Sequence, residues 1–171
     1  MSEVLRRKLG ARRASDRSNA VSVETVLRKT MPRDADRILT LEAVVTQVTG
    51  GTMFKEQLLE AIGPQDLVYL AEDERAGRGV ITLNPPLMAG IVEVQVSGRV
   101  SQKPVVERVP TRTDGIVAGE IIDAWLSTAN TAMPEAGLES TWPMLGFERI
   151  PGKMSRREVD LSIEPVEFRT V

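Results

Sequence analysis

The chain has 171 residues, which is enough for one domain with an ordinary apolar core. It contains neither Cys nor His, so disulfides, thiolate catalysis, serine–histidine triads and histidine- or cysteine-held zinc sites are excluded in this chain. With 22 basic and 24 acidic residues, the net charge of −2 is too balanced for a nucleic-acid or membrane-binding footprint. We therefore expect no nucleic-acid partner, no direct membrane insertion, no cofactor and no metal.

Residues 1–17 form a basic arm in which Glu3 and Asp16 are the acidic residues and the basic residues are Arg6, Arg7, Lys8, Arg12, Arg13 and Arg17. Such a charge run is typical of a solvated, flexible arm, and a docking arm for an acidic partner is the alternative. No apolar block long enough for a secretory signal or a membrane span follows it, so we expect a cytoplasmic protein.

In the first half, apolar residues recur at helical spacing from residue 18, and Pro32 predicts that this helix ends near Thr30. Residues 38–49 are rich in β-branched side chains and predict a strand that ends at Gly50-Gly51. Further along, the pattern predicts a short helix over 54–62 and a hairpin with strands over 65–71 and 80–83.

Asn84-Pro85 predicts the start of the next helix, because Asn accepts from free N–H groups and proline at the first helical position loses no hydrogen bond. Residues 98–110 lack periodicity and predict an exposed linker. Thr111 and Asp114 predict the start of the longest helix, which extends to Ala129. The remaining pattern predicts a loop over 130–139, a strand over 144–150, a short helix over 155–163 and a strand over 166–171.

The two halves share an order of elements: helix, strand, short helix, proline, strand. This order indicates an internal repeat in which the strands merge into one sheet that helices cover. The second copy reaches Val171 before its last strand and helix, so the domain is either cut short there or able to dispense with them.

Residues 83–93, followed by a Gly-containing turn, a loop, residues 110–114 and a long helix ending in Trp125-Leu126, resemble the middle domain of flagellar motor switch proteins of the FliM type. That domain is grouped with the chemotaxis phosphatases CheC and CheX. The resemblance covers about residues 15–171 and implies an α/β (α+β) fold, a pseudo-twofold symmetric α/β/α sandwich of CheC-like type. It assigns residues 18–171 to the FliM-like middle domain.

The resemblance also implies a function without catalysis. FliM proteins build the cytoplasmic rotor ring of the flagellar basal body, on the inner face of the membrane, and control the direction of rotation in chemotaxis. Their middle domain docks on the rotor protein FliG and packs side by side with its own copies. The family's docking loop has the form Gly-Gly-X-Gly, and this sequence keeps one glycine in the corresponding turn, which consists of Val96, Ser97, Gly98, Arg99 and Val100.

A divergent CheC/CheX-type phosphatase of a phosphorylated response regulator is the alternative. Those enzymes share a Glu and an Asn three residues apart on a helix. One helical turn places both side chains on the same face of that helix. In this sequence the residues three positions before Asn19, Asn84 and Asn130 are Asp16, Ile81 and Ser127, so the Glu-X-X-Asn pair does not occur. We therefore expect an assembly module and no enzyme.

Overall fold

The computed structural model describes residues 21–73, 77–101, 103–138 and 144–150, and the backbone of 166–170. Within these residues the chain forms helices α1 (Val23–Leu39), α2 (Lys55–Ala61), α3 (Pro85–Ser97) and α4 (Arg112–Glu135), and strands β1 (Thr49–Met53), β2 (Leu67–Glu72), β3 (Arg78–Leu83), β4 (Glu148–Arg149) and β5 (Val166–Thr170). This mixture of helix and sheet confirms the α/β class in its general form. None of the described helices is long and apolar enough to cross a membrane.

Within the described residues the strands form two separate antiparallel sheets, so the prediction that the strands of both halves merge into one sheet is wrong there. One has the order β3-β2-β4, in which Leu67 lies opposite Leu83 and Ala71 lies opposite Arg149. The other pairs β1 with β5, with Gly51 opposite Phe168. The first half of the chain is therefore joined to the second half in both sheets, once through β2 and β4 and once through β1 and β5.

Helix α4 is the centre of the packing, since α1, α3 and β4 all contact it. The larger core cluster lies between α3, α4 and the three-stranded sheet, and its buried members are Leu39, Leu67, Tyr69, Ala71, Leu83, Met88, Ile91, Val94, Ala118, Ile121, Ile122, Leu126 and Phe147. The smaller one lies between α1 and the second half of α4, and its buried members are Val23, Val26, Leu27, Val48, Ala129 and Met133.

The prediction that the first helix ends near Thr30 is wrong, because α1 continues through Pro32 to Leu39. A proline inside a helix costs roughly 3 kcal/mol. The residues beyond it pack into the protein, where Ala35 and Leu39 are buried. The indole Nε1 of Trp125 also donates to the Met31 carbonyl oxygen at 3.2 Å. Tertiary contacts of this kind hold the helix beyond the position where the local sequence predicts its end.

The predicted strand over 38–49 is also wrong. Residues 40–48 have no regular structure, and the strand begins at Thr49 and runs through the two glycines that were expected to end it. Within 40–48 only Val48 is buried, whereas Val44 is exposed. Val45 and Val48 pack at single positions against α1 and α4, and the β-branched residues here form no strand.

Two boundaries in the second half differ from their predictions. Helix α4 continues past Ala129 to Glu135, because Met133, one turn beyond Ala129, is fully buried against α1. The strand expected over 144–150 is reduced to β4, preceded by a turn in which Phe147 N–H donates to the Met144 carbonyl oxygen at 3.2 Å. The predicted helix over 155–163 and the basic arm lie outside the described residues.

The elements with strong local signals are confirmed. Helix α3 begins where Asn84 Oδ1 accepts from the backbone N–H of Leu87 at 3.0 Å, with prolines in its first turn. Helix α2, the β2–β3 hairpin and the final strand β5 occur where the pattern predicts them. The described residues of the linker 98–110 have no helix or strand, as expected.

Candidate functional site

The predicted docking turn, residues 96–100, lies at the carboxyl end of α3. The helix ends at Ser97, and Gly98 follows with φ of 72°, in the left-handed region that favours glycine. The backbone N–H of Gly98 donates to the Val94 carbonyl oxygen at 2.8 Å, which closes the last turn of the helix. The single glycine of this turn is thus the one that the helix end requires.

All five residues of the docking turn are exposed. Val96 exposes 78% of its surface, although the next apolar residue towards the helix start, Val94, is buried in the core. Val96 therefore contributes little to the folded chain by burial, and exposed apolar side chains grouped at one place are typical of contact surfaces. The turn therefore has the accessibility that docking requires.

The backbone after the docking turn is held by α3. The carboxylate Oε2 of Glu93 accepts from the backbone N–H of Ser101 at 2.6 Å. The hydroxyl Oγ of Ser97 lies 2.8 Å from the Glu93 carbonyl oxygen and 3.0 Å from the Arg99 carbonyl oxygen. These contacts fold the chain back over the end of the helix, so the turn has a defined shape.

The other end of the linker is fixed at the start of α4. Asp114 is buried, and its Oδ2 accepts from the backbone N–H and the hydroxyl of Thr111, both at 2.7 Å. Arg108 donates to both oxygens of the same carboxylate, at 2.6 and 2.7 Å. The hydrogen bonds from Arg108 hold the pKa of Asp114 well below its usual range, while burial opposes them. Asp114 is thus both a helix cap and the anchor of the linker.

Sequence reasoning identified Thr111 and Asp114 as a cap and missed Arg108. It also missed four apolar residues beyond the docking turn that the structure leaves exposed: Val105, Val106, Val109 and Ile116. The linker was predicted to be exposed because it contains two prolines and has no periodic pattern. The valines within it are the sequence feature that could have indicated a contact segment.

A second cluster that sequence reasoning missed joins the two halves of the chain behind this site. Tyr69 on β2 is fully buried, and its hydroxyl donates to the Gly115 carbonyl oxygen of α4 at 2.9 Å. The guanidinium of Arg149 lies 5.5 Å from the centre of the Tyr69 ring and donates to both oxygens of Asp123, at 2.7 and 2.6 Å. A Cβ at Gly119 would lie 2.9 Å from that guanidinium, so a larger residue there would require the Arg149 side chain to shift. This cluster positions the start of α4.

The asparagines considered for phosphatase chemistry have structural contacts. Asn84 caps α3, and Asn130 accepts from the backbone N–H of Gly146 at 3.0 Å while its amide donates to the Phe147 carbonyl oxygen at 3.3 Å. Asn19 lies outside the described residues. Over the described ranges, no group of three or more acidic residues is arranged to hold a metal ion.

The chain matches no protein-family model and no curated protein sequence.

Proposed function

We propose that this chain is a FliM-like middle domain, an assembly module of the flagellar motor switch that acts without catalysis. In this proposal the docking turn, residues 96–100, contacts a FliG-like rotor protein, and copies of the domain pack side by side in the rotor ring. The ring lies in the cytoplasm at the basal body, and the module passes on a change in rotation direction mechanically.

The strand pairing supports the CheC-like, pseudo-twofold part of this proposal. By chain order, β1 corresponds to β4 and β2 corresponds to β5 in the two repeats. Exchanging the halves converts the pair β1–β5 into the pair β4–β2, and both pairs are antiparallel. An arrangement in which one inter-half pair maps onto the other is what twofold symmetry between repeats requires. It favours a sandwich built from two related units.

The observation that carries the docking part is the exposure of the turn together with its fixed backbone. Val96 and Val100 are exposed beside the charged side chain of Arg99, on a helix end whose shape is set by Gly98 and Glu93. A surface that is already in its bound shape loses less conformational freedom on association. Apolar side chains beside a cation provide both contact area and orientation for a partner surface.

Reversing the charge at Arg99 tests this function. We expect Arg99→Glu to weaken binding to the FliG-type rotor protein by at least about tenfold, since a like-charge contact across an interface is costly. Its melting temperature should stay that of the parent, because Arg99 is exposed. Calorimetric titration of the purified proteins measures the affinity.

Lys29→Glu is the matched control. Lys29 is exposed on α1, in the part of that helix that packs near the second half of α4, and the change in charge is the same. We expect Lys29→Glu to bind like the parent chain. Equal affinity of the parent, Arg99→Glu and Lys29→Glu would exclude the docking turn as the contact surface.

A further inference from the structure

The linker between α3 and α4 combines exposure with anchoring. Every described residue from 98 to 109 is exposed, yet both ends of this stretch are held by carboxylates. Glu93 accepts from the Ser101 backbone at the first end, and Asp114 binds the Arg108 guanidinium at the second. Both contacts restrict the course of the linker over the surface of the protein.

The second anchor is built as a rigid one. Two nitrogens of the Arg108 guanidinium donate to Asp114, one to each carboxylate oxygen. Such paired hydrogen bonds fix the orientation of the guanidinium as well as its position. Asp114 is itself buried and held by Thr111, so it cannot follow a moving linker. The side chain of Arg108 remains about half exposed, which places this anchor at the surface.

The linker presents apolar side chains to solvent on both sides of Arg108. Val106 exposes 82% of its surface, and Val105 and Val109 on either side are also exposed. Ile116, near the start of α4, is exposed as well. We call these four residues the valine ridge. The valine ridge follows the docking turn along the chain.

We propose that Arg108 is a positioning residue that holds the valine ridge as a second contact for the rotor protein; this inference rests on the proposed function. The partner surface is apolar at its centre and acidic at its rim. An acidic rim would complement the charge of this segment: Arg99, Lys103 and Arg112 are exposed along it and form no ion pair within the described residues, whereas Glu107 is its one exposed acidic residue.

Two substitutions test the ridge and its anchor separately, with the FliG-type rotor protein as the probe. Val106→Ser removes an exposed apolar contact, and we expect it to weaken binding about fivefold to tenfold with an unchanged melting temperature. Arg108→Gln releases the ridge, and we expect a similar loss of affinity together with faster hydrogen exchange of the amides at 103–109. Arg108→Lys keeps the charge and one donor direction, so it should recover part of the affinity.

The outcomes separate this inference from the function on which it rests. If the parent chain binds and both Val106→Ser and Arg108→Gln weaken binding, with partial recovery in Arg108→Lys, the inference is supported. If the parent binds and either Val106→Ser or Arg108→Gln binds equally well, the ridge or its positioning is overturned while the docking turn stands. If the parent does not bind, the proposed function fails and the inference fails with it. An affinity that does not fall with added salt would overturn the acidic rim.

Discussion

Replacing Tyr69 by alanine should lower the free energy of unfolding by about 3–5 kcal/mol, the range for removing a large aromatic side chain from a core. The Tyr69 ring is fully buried and lies beneath the guanidinium of Arg149, and its hydroxyl donates to the Gly115 carbonyl oxygen of α4. Tyr69→Ala therefore leaves a cavity at the place where β2, β4 and α4 meet. Equilibrium urea denaturation measures the loss.

Tyr69→Phe is the control for this change, because it keeps the ring and removes only the hydroxyl. We expect it to cost about 1 kcal/mol, the usual contribution of one hydrogen bond. A loss below about 1 kcal/mol in Tyr69→Ala would contradict the central place of this residue in the core.

Replacing Asp114 by alanine should lower the free energy of unfolding by about 2–3 kcal/mol. The change removes the cap contacts to Thr111 and both hydrogen bonds from Arg108. Glu120→Ala is the matched control, since Glu120 is an exposed carboxylate on the same helix, and we expect it to stay within about 0.5 kcal/mol of the parent. Equal stability of Asp114→Ala and Glu120→Ala would contradict the anchoring role of Asp114.

The contribution of Asp114 should also depend on pH in a defined direction. The pKa of Asp114 is lowered in the folded chain, first by its hydrogen bonds from Arg108. A lowered pKa stabilises the folded state above the unfolded value of about 3.9, and the stabilisation is lost as the pH falls through the folded value. The stability difference between the parent chain and Asp114→Asn should therefore be constant from pH 7 to about pH 5 and shrink at more acidic pH. A difference that grows on acidification would contradict the assigned direction.

The sequence predicted those elements whose ends are set by neighbouring residues. Asn84 and Pro85 start α3, Gly98 ends it, and Thr111 starts α4, each through contacts within four positions along the chain. The sequence did not predict the ends of those elements that tertiary packing determines. Helix α1 passes Pro32 because residues beyond the proline are buried and because Trp125 of α4, 94 positions away along the chain, donates to the Met31 carbonyl oxygen.

The candidate site was predictable to the same extent. The position of the docking turn follows from the end of α3, and its glycine is where the pattern places it. The anchor at Arg108 precedes the helix and has no periodic relation to Asp114, so spacing could not reveal it. The pairing of Arg149 with Asp123 joins residues 26 positions apart, from a strand and a helix, and only the folded chain brings them together.

Because the chain has no cysteine, an introduced cysteine is its only thiol and reports on one position. Arg99→Cys places that thiol in the docking turn, and Lys29→Cys places it on α1 as a control. We expect the FliG-type rotor protein to slow alkylation of the thiol at position 99 at least fivefold, and to leave the rate at position 29 unchanged. Equal alkylation rates at position 99 with and without saturating rotor protein would contradict docking through this turn.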